Sequence, residues 1–533
     1  PAWDHTSRTG FGKNSQVLTG EMNDGASSDS GGLVVWLDEI NEDHPGSVGH
    51  KSVNLARVRR LASLGQGSIV VPDGFVVTTR ATVDLLDGSG HLAELKRLWG
   101  GHVSGELDVR SFSTAALNLF GDLSIPDWLR SAIGESYERM PLGPPGDELL
   151  LAVRSNAVME DSIGTSYAGQ FESVLGVATI DDLLAAYLDV IRSSLTQRVL
   201  SYQQAVGQTT LGPTGMSVLV QRMVRSDRGS AGVVISSTPG FRPIGPDATD
   251  LRSADLDSTG SHLRERVTTI EVVRGTAEVI VGGSVNPESL TVRMSDRSVW
   301  RDATRPAPES ASKESSPAGS GTDGSTPDSP APDSSTSNVT SILDDATALA
   351  LGELAQILEV EFGSPVEVEW ARDDRSDELA VVQVRPIPAG AHVDSRGHAR
   401  TVAGTHISGL TALAQGLAIG TGQVSGPAVV VDDPRALLES DDLGKLPDEF
   451  ILVVSTTSPE WVPLMRLASA LVTDHGGRGS HAAIVCREIG LPAVLGCGSA
   501  TSALRAEPDQ SAIWPSRHVV VDCEDGGRGV VYG

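Results

Sequence analysis

Three stretches of the chain carry too few large apolar side chains to close a core, and they set where compact structure can form. The longest, ATRPAPESASKESSPAGSGTDGSTPDSPAPDSSTSNVT at 303–340, holds a single large apolar residue, Val339. Such a composition cannot offset the entropy of ordering the chain and predicts a flexible insertion. Residues 1–32, ending in DGASSDSGG, are polar and predict a loose N-terminal arm. PAGAHVDSRGHARTVAGT at 388–405 predicts a hinge-like linker, placed at 390–405. Strand-like runs alternate with helical stretches over 33–389, the pattern of a mixed α/β (α+β) domain. IVVPDGFVVTT at 69–79 predicts a strand pair around a Pro-Asp-Gly turn. LGELAQILEVEF resumes helical spacing after the insertion, and VEVEWA and ELAVVQVRPI read as strands, so the insertion is expected to interrupt one domain. Residues 406–533 are rich in short strands and predict a second, smaller domain. No internal repeat is evident.

Charge narrows the function. Lys and Arg number 41 against 69 Asp and Glu, a net charge of −28. That field repels nucleic acid and anionic lipid, so neither is an expected partner. An anionic substrate would have to be captured by individual cations, backbone amides or bound metal. The three cysteines, Cys486, Cys497 and Cys523, lack CxxC spacing, no apolar run reaches a membrane span, and PAWDHTSRTG lacks the order of a secretory signal. These features predict a cytoplasmic protein that is neither membrane-bound nor exported.

The densest chemical signal is LVTDHGGRGSHAAIVCREIGLPAVLG at 471–496, in the order strand, glycine turn, helix, strand. Ala482, Val485, Cys486 and Ile489 follow i, i+3, i+4, i+7 spacing, and Gly490 with Pro492 supplies a stop signal. His481 therefore falls at a helix N-terminus, where Gly476, Gly477 and Gly479 permit a tight turn. Free amides and the positive end of the helix dipole suit a phosphoryl group there, and the same dipole keeps imidazole neutral and nucleophilic. Two other readings suit the same residues: a histidine that only caps the helix, and a metal site through Asp474, His475 and His481, although that spacing matches no familiar ligand set.

GGRGSHAAIVCREIGLPAVLG resembles the phosphohistidine domain of the family that comprises phosphoenolpyruvate synthase, pyruvate phosphate dikinase and rifampin phosphotransferase. The resemblance implies a phosphohistidine swivelling domain and an ATP-grasp-type nucleotide-binding domain, and four distant segments carry it further. GHKSVNLARVRRL with VPDGFVVTT is similar to the family's opening, which puts Lys51 at the position of a nucleotide-binding lysine. LAVRSNAVMEDSIGTSYAGQFESVLGV resembles VRSSAxxED and SFAGQ, placing Arg154 on ATP phosphates with Glu160, Asp161 and Gln170 nearby. VLVQRMV resembles the strand approaching adenine, around Gln221 and Met223. VEWA and VVQVRPI resemble the closing signature, which implies magnesium on Glu369 and Gln383 and phosphate on Arg385. All five segments occur in family order. Their chemistry is sensible by itself, since triphosphate transfer needs cations on bridging oxygens and magnesium needs hard oxygen ligands. Taken singly, each has an ordinary alternative: Lys51 a solvated helix-start lysine, Arg154 a structural ion-pair partner, Gln221, Glu369 and Gln383 strand polar residues, and Met223 a core residue.

Some positions depart from the pattern. Asn156 and Val158 stand where small Ser and Thr are usual, RGTAE at 274–278 replaces a glycine-richer GLGE while retaining Glu278, ISSTPG replaces FTxxPxTG, and Gly479 takes the place of a frequent threonine. The resemblance implies an AMP-forming phosphotransferase in which ATP gives its β-phosphoryl group to His481, with ATP and Mg2+ as cofactors and a swivel to an acceptor. The sequence ends 52 residues after His481 and shows no acceptor domain. The expected acceptor is a small molecule, a hydroxyl of a specialised metabolite. The alternatives are the ATP half of a split phosphoenolpyruvate-forming enzyme with a separate acceptor protein, and a nonenzymatic nucleotide sensor or scaffold.

Overall fold

The computed structural model describes residues 32–41, 45–63, 69–141, 148–158, 160, 169–205, 211–238, 267–301, 341–375, 378–387, 409–438, 443–447, 449–505, 517–523 and 527–533. The expected arm up to residue 31, the insertion at 303–340, the linker at 390–405 and Asp161 lie outside the described residues.

Two sheets build the larger unit. One is antiparallel throughout, in the order Val34–Trp36, Gly74–Val77, Met216–Arg222, Leu151–Ala157 and Ser173–Val177. Its apolar face is covered by helices, among them Thr79–Gly88, Val109–Leu119 and Ile180–Ser193, in a core that holds Phe75, Phe112, Phe120 and Tyr187. The last of these helices starts where the sequence signals it. Thr179 accepts from the Asp182 amide at 3.2 Å, with Asp181 and Asp182 in the first turn. Such a cap is worth about 1 kcal/mol, and acidic residues suit the positive dipole end.

The second sheet runs Ser298–Arg301, Glu288–Arg293, Val267–Arg274, Gly229–Thr238, Val366–Asp373, Leu379–Pro386 and Ile69–Val70. Every pairing is antiparallel except the last. Helices His50–Ser63 and Asp345–Phe362 pack on it around Trp370, Leu55 and Leu351. The expected strand pair at 69–79 is corrected here. Ile69–Val70 pairs in the seven-stranded sheet, whereas Gly74–Val77 pairs in the five-stranded one. The Pro-Asp-Gly segment carries the chain between sheets instead of folding it back, because each short strand finds a longer partner elsewhere.

The smaller unit is a closed barrel in the order Ala412–Ile419, Ala493–Leu495, Ala470–Thr473, Ile451–Val454, Gln423–Val430, Arg517–Asp522 and Arg528–Tyr532. Closure leaves no sheet edge to protect. Helix His481–Ile489 lies against it, and the barrel's outer core also takes in Tyr202 and Phe171 of the larger unit, so apolar packing crosses between the two. Among the described residues no helix is long and apolar enough to cross a membrane.

Candidate active site

A cavity of about 420 Å³ lies where the two sheets meet the barrel unit. Its walls contain Lys51, Arg154, Gln221, Met223, Glu278, Glu369, Gln383, Arg385 and His481, with Glu160 among them, whereas Gln170 does not line it. That size falls in the range of small-molecule sites.

Each side chain is held by its neighbours. Lys51, on the first turn of its helix, is 3% exposed and donates to the Ser155 carbonyl at 2.8 Å and to Glu160 Oε1 at 2.9 Å. A solvated helix-start lysine is therefore not what the fold contains. Arg154 leaves the five-stranded sheet and donates to Gln383 Oε1 at 2.8 Å and Glu369 Oε2 at 3.3 Å, so it joins the two sheets. Glu369 and Gln383 are direct cross-strand partners, which sets their two oxygens side by side. Arg385 is paired with buried Glu367, which Arg487 of the barrel unit approaches at 3.7 Å. Gln221 donates to the Pro72 carbonyl at 3.4 Å, and the Met223 amide donates to the Leu150 carbonyl at 2.8 Å. Four cations, Lys51, Arg154, Arg222 and Arg385, face three carboxylates, Glu160, Glu278 and Glu369. The cavity is thus locally cationic in a chain of net charge −28, as capture of a polyanion requires.

His481 opens its helix directly after the N-cap Ser480, and Gly490 ends it in the left-handed conformation. All six residues from His481 to Cys486 are buried, not one stripe alone, because the helix sits between its own barrel and the larger unit. The imidazole is 2% exposed. Nδ1 lies 3.1 Å from Thr457 Oγ1, while Nε2 is buried on the wall of the cavity with no hydrogen-bond partner among the described residues. Burial, with a smaller contribution from the Arg198 guanidinium, pushes the ring's pKa down to about 4. The ring is neutral at ordinary pH.

The glycines serve a purpose other than three tight turns. Gly476 alone has a positive φ, 119°. Gly477 and Gly479 give clearance: a Cβ on Gly477 would stand 2.4 Å from Glu271 Oε1, and one on Gly479 would stand 2.9 Å from Val233 Cγ2. The turn before the helix is also engaged: the amides of Arg478 and Gly479, which precede the N-cap Ser480, donate to the Glu271 carboxylate at 2.6 and 3.0 Å. At the helix start itself, the Ala483 amide donates to Ser480 Oγ at 3.4 Å.

The metal reading through Asp474 and His475 finds no support in the geometry. Both carboxylate oxygens of Asp474 accept from Thr501, and among the described residues no group of three His, Cys, Asp or Glu side chains is arranged to hold a metal. Glu369 and Gln383 do fit magnesium, a cation that takes one or two protein oxygens and fills its other positions with water and substrate phosphate. Asn156, a departure from the family pattern, donates to the Val48 carbonyl and to Ser52, tying its strand to the start of the Lys51 helix. Sequence reasoning missed Thr457, Arg198, Glu271 and Arg487. Thr457 is the hydrogen-bond neighbour of the ring, Arg198 acts on it through its charge, and the others cross the unit boundary, so no local spacing marks them.

Residues 45–401 match the family model described as "Pyruvate phosphate dikinase, AMP/ATP-binding domain", and residues 446–526 match "PEP-utilising enzyme, mobile domain". Fold and cavity thus define a two-unit protein, with an ATP-grasp-type nucleotide-binding unit and a smaller histidine-bearing one. The chain belongs to the phosphoenolpyruvate synthase and pyruvate phosphate dikinase family, whose members use ATP and Mg2+. It is 30% identical over 503 residues to the phosphoenolpyruvate synthase of Pseudomonas aeruginosa (strain UCBPP-PA14), covering 94% of this chain and 58% of the relative. The Escherichia coli (strain K12) enzyme of that name is likewise 30% identical over 94% of this chain and 57% of its own length. The Aquifex aeolicus (strain VF5) enzyme is 28% identical, with 55% of its length covered. The chain therefore spans somewhat more than half the length of these relatives.

Proposed function

We propose that this chain transfers a phosphoryl group from ATP to Nε2 of His481 and hands it on to an acceptor, leaving AMP. The observation that carries the reading is the position of Nε2: neutral, without a hydrogen-bond partner among the described residues, and on the same cavity wall as Lys51, Arg154, Arg385, Glu369 and Gln383. The Nε2 lone pair forms a bond to the β-phosphorus as the bond to the oxygen bridging the α- and β-phosphates breaks. AMP departs, and the γ-phosphoryl group goes to water as phosphate. Nδ1–H donated to Thr457 Oγ1 would keep the Nε2 lone pair directed into the cavity. Lys51, Arg154 and Arg385 hold phosphate oxygens, and Gln221, Met223 and Glu278 line the nucleotide. Glu369 and Gln383 would hold Mg2+, which supplies charge neutralisation on the phosphates.

The acceptor is a small molecule with a nucleophilic oxygen. The relatives, phosphoenolpyruvate synthases by name, support pyruvate, giving phosphoenolpyruvate, over the hydroxyl of a specialised metabolite. Incubation with Mg2+ and β-32P-ATP should label His481 and release AMP, and pyruvate should then discharge the label. ADP as product, or label that persists in His481→Ala, contradicts the reading. Discharge by a metabolite hydroxyl but not by pyruvate returns the acceptor to the specialised class. Discharge only after a second protein is added indicates a separate acceptor chain, and ATP binding without turnover favours a sensor.

A further inference from the structure

Glu271 lies on the interior strand Val267–Arg274 of the seven-stranded sheet, yet its carboxylate is spent on the backbone of the other unit. It is 2% exposed and accepts from the amides of Arg478 and Gly479, at 2.6 and 3.0 Å, in the turn that leads into His481. Gly477 closes on the same carboxylate with no room for a Cβ. Other contacts cross the boundary nearby: the Gly476 amide donates to Asn286 Oδ1 at 3.1 Å, and Thr456 Oγ1 donates to the Gly283 carbonyl at 2.9 Å. Both of those are neutral. Among the described residues Glu271 alone sets a negative charge against the amides of the turn that leads into the histidine, two charge-assisted hydrogen bonds made just before the N-cap Ser480.

We infer that Glu271 is a positioning residue for phosphoryl transfer, docking the turn before His481 on the nucleotide cleft while the histidine is free and losing its hold once the histidine is phosphorylated. The inference rests on the reading of His481 as the carrier. A phosphoryl group on the ring adds a charge of about −1.5 to −2 a few residues from the amides that Glu271 occupies. The added charge repels the buried Glu271 carboxylate across a contact that excludes water, where like charges repel most. The docked arrangement is accordingly selective for the unphosphorylated ring, and product formation itself favours departure of the barrel unit towards an acceptor.

Glu271→Gln keeps the shape of the side chain, removes its charge and turns an amide N–H towards one of the two donors. Single-turnover labelling of His481 from β-32P-ATP should slow by about tenfold to a hundredfold, the loss expected for charge-assisted hydrogen bonds. ATP affinity, which also reports that the larger unit is folded, should change less than about twofold, since Glu271 does not line the cavity. A pair of fluorophores, one on each unit, should separate on phosphorylation in the wild type and change far less in Glu271→Gln. Gly477→Ala reaches the same contact from the other side: it should slow labelling when Glu271 is present and cost little in a Glu271→Ala background. Labelling of Glu271→Gln at the wild-type rate, or a Gly477→Ala cost that is the same in both backgrounds, overturns the role of Glu271 and leaves the carrier reading intact. Failure of wild-type His481 to take any label while ATP binds overturns both.

Discussion

Acidification from pH 7.5 to 5 probes the docked imidazole directly. His481 is buried, and desolvation followed by Arg198 brings its pKa from 6.5 to about 4. At pH 5 a ring in that environment is still roughly 90% neutral, whereas a water-exposed ring is roughly 3% neutral. The docked state binds fewer protons than the undocked one, so acid pulls the equilibrium towards undocking. The sign follows from linkage: the stabilisation is fully present above the exposed value of 6.5 and is lost progressively as pH falls towards 4. Between pH 7.5 and 5 docking weakens by about 30-fold, or about 2 kcal/mol. Rapid-quench labelling of His481 between pH 4.5 and 8, with ATP affinity measured at each pH, reads the result. The rate constant should be flat down to about pH 6.5 and then fall with an apparent pKa between 4 and 6.5, set by the docked fraction. Arg198→Met should move that apparent pKa upward, since the guanidinium is the second cause of the depression. An apparent pKa at or above 7, or an imidazolium signal from His481 at pH 6 in the ATP-bound protein, would refute the idea that the ring reacts from this desolvated position.

Three further substitutions test other parts of the site. Lys51→Met strands Glu160, 2.9 Å away and 6% exposed, as a buried unpaired carboxylate; thermal unfolding should register a loss of about 3–5 kcal/mol. Adding Glu160→Gln should recover most of that stability but not ATP affinity. Gly479→Ala places a Cβ 2.9 Å from Val233 Cγ2 across the unit boundary, a clash of about 1–3 kcal/mol that should slow labelling without changing ATP affinity; Val233→Ala should restore part of the rate. Thr457→Val removes the partner of Nδ1 and should cost about 0.5–1.5 kcal/mol in the labelling step, with 15N NMR of His481 reporting a mixture of tautomers.

The histidine turn was legible because its signals are local: glycine spacing, the serine cap, the i, i+3, i+4, i+7 apolar pattern and the Gly490 stop all act within one helix length of His481. Lys51, Arg154, Glu369 and Gln383 were legible only as a resemblance, since their spacing in the chain carries no information about which strands pair. The structure supplies that information, by making Glu369 and Gln383 cross-strand neighbours and bringing Arg154 to both. The two strands around Pro-Asp-Gly looked like a hairpin because short buried strands on either side of a turn read alike whether they pair with each other or with strands of two different sheets. Glu271 could not be read at all. It sits 207 and 208 residues before the amides it accepts from, on a strand that also buries Thr268 and Thr269, so a buried polar residue there does not by itself mark a contact with the other unit.

The pairing of cations with carboxylates explains how so acidic a chain can present a site for a polyanion. Lys51 is held by Glu160, Arg154 by Glu369 and Gln383, and Arg385 by Glu367. Unpaired, each of these buried cations would face a desolvation penalty of several kcal/mol and would disrupt the empty cleft. Paired, they stay fixed in direction and charged while no phosphate is present, so nucleotide meets donors that need no reorganisation. The cost is competition, because incoming phosphate oxygens must share each donor with a resident carboxylate. The wall compensates by carrying one more cation, Arg222, than it has carboxylates. His481 follows the opposite rule: it carries no charge, and its Nε2 has no hydrogen-bond partner among the described residues. The cleft thus keeps its phosphate-binding groups charged by pairing them and its nucleophile neutral by burying it, and both conditions hold in one cavity only when the two units are docked.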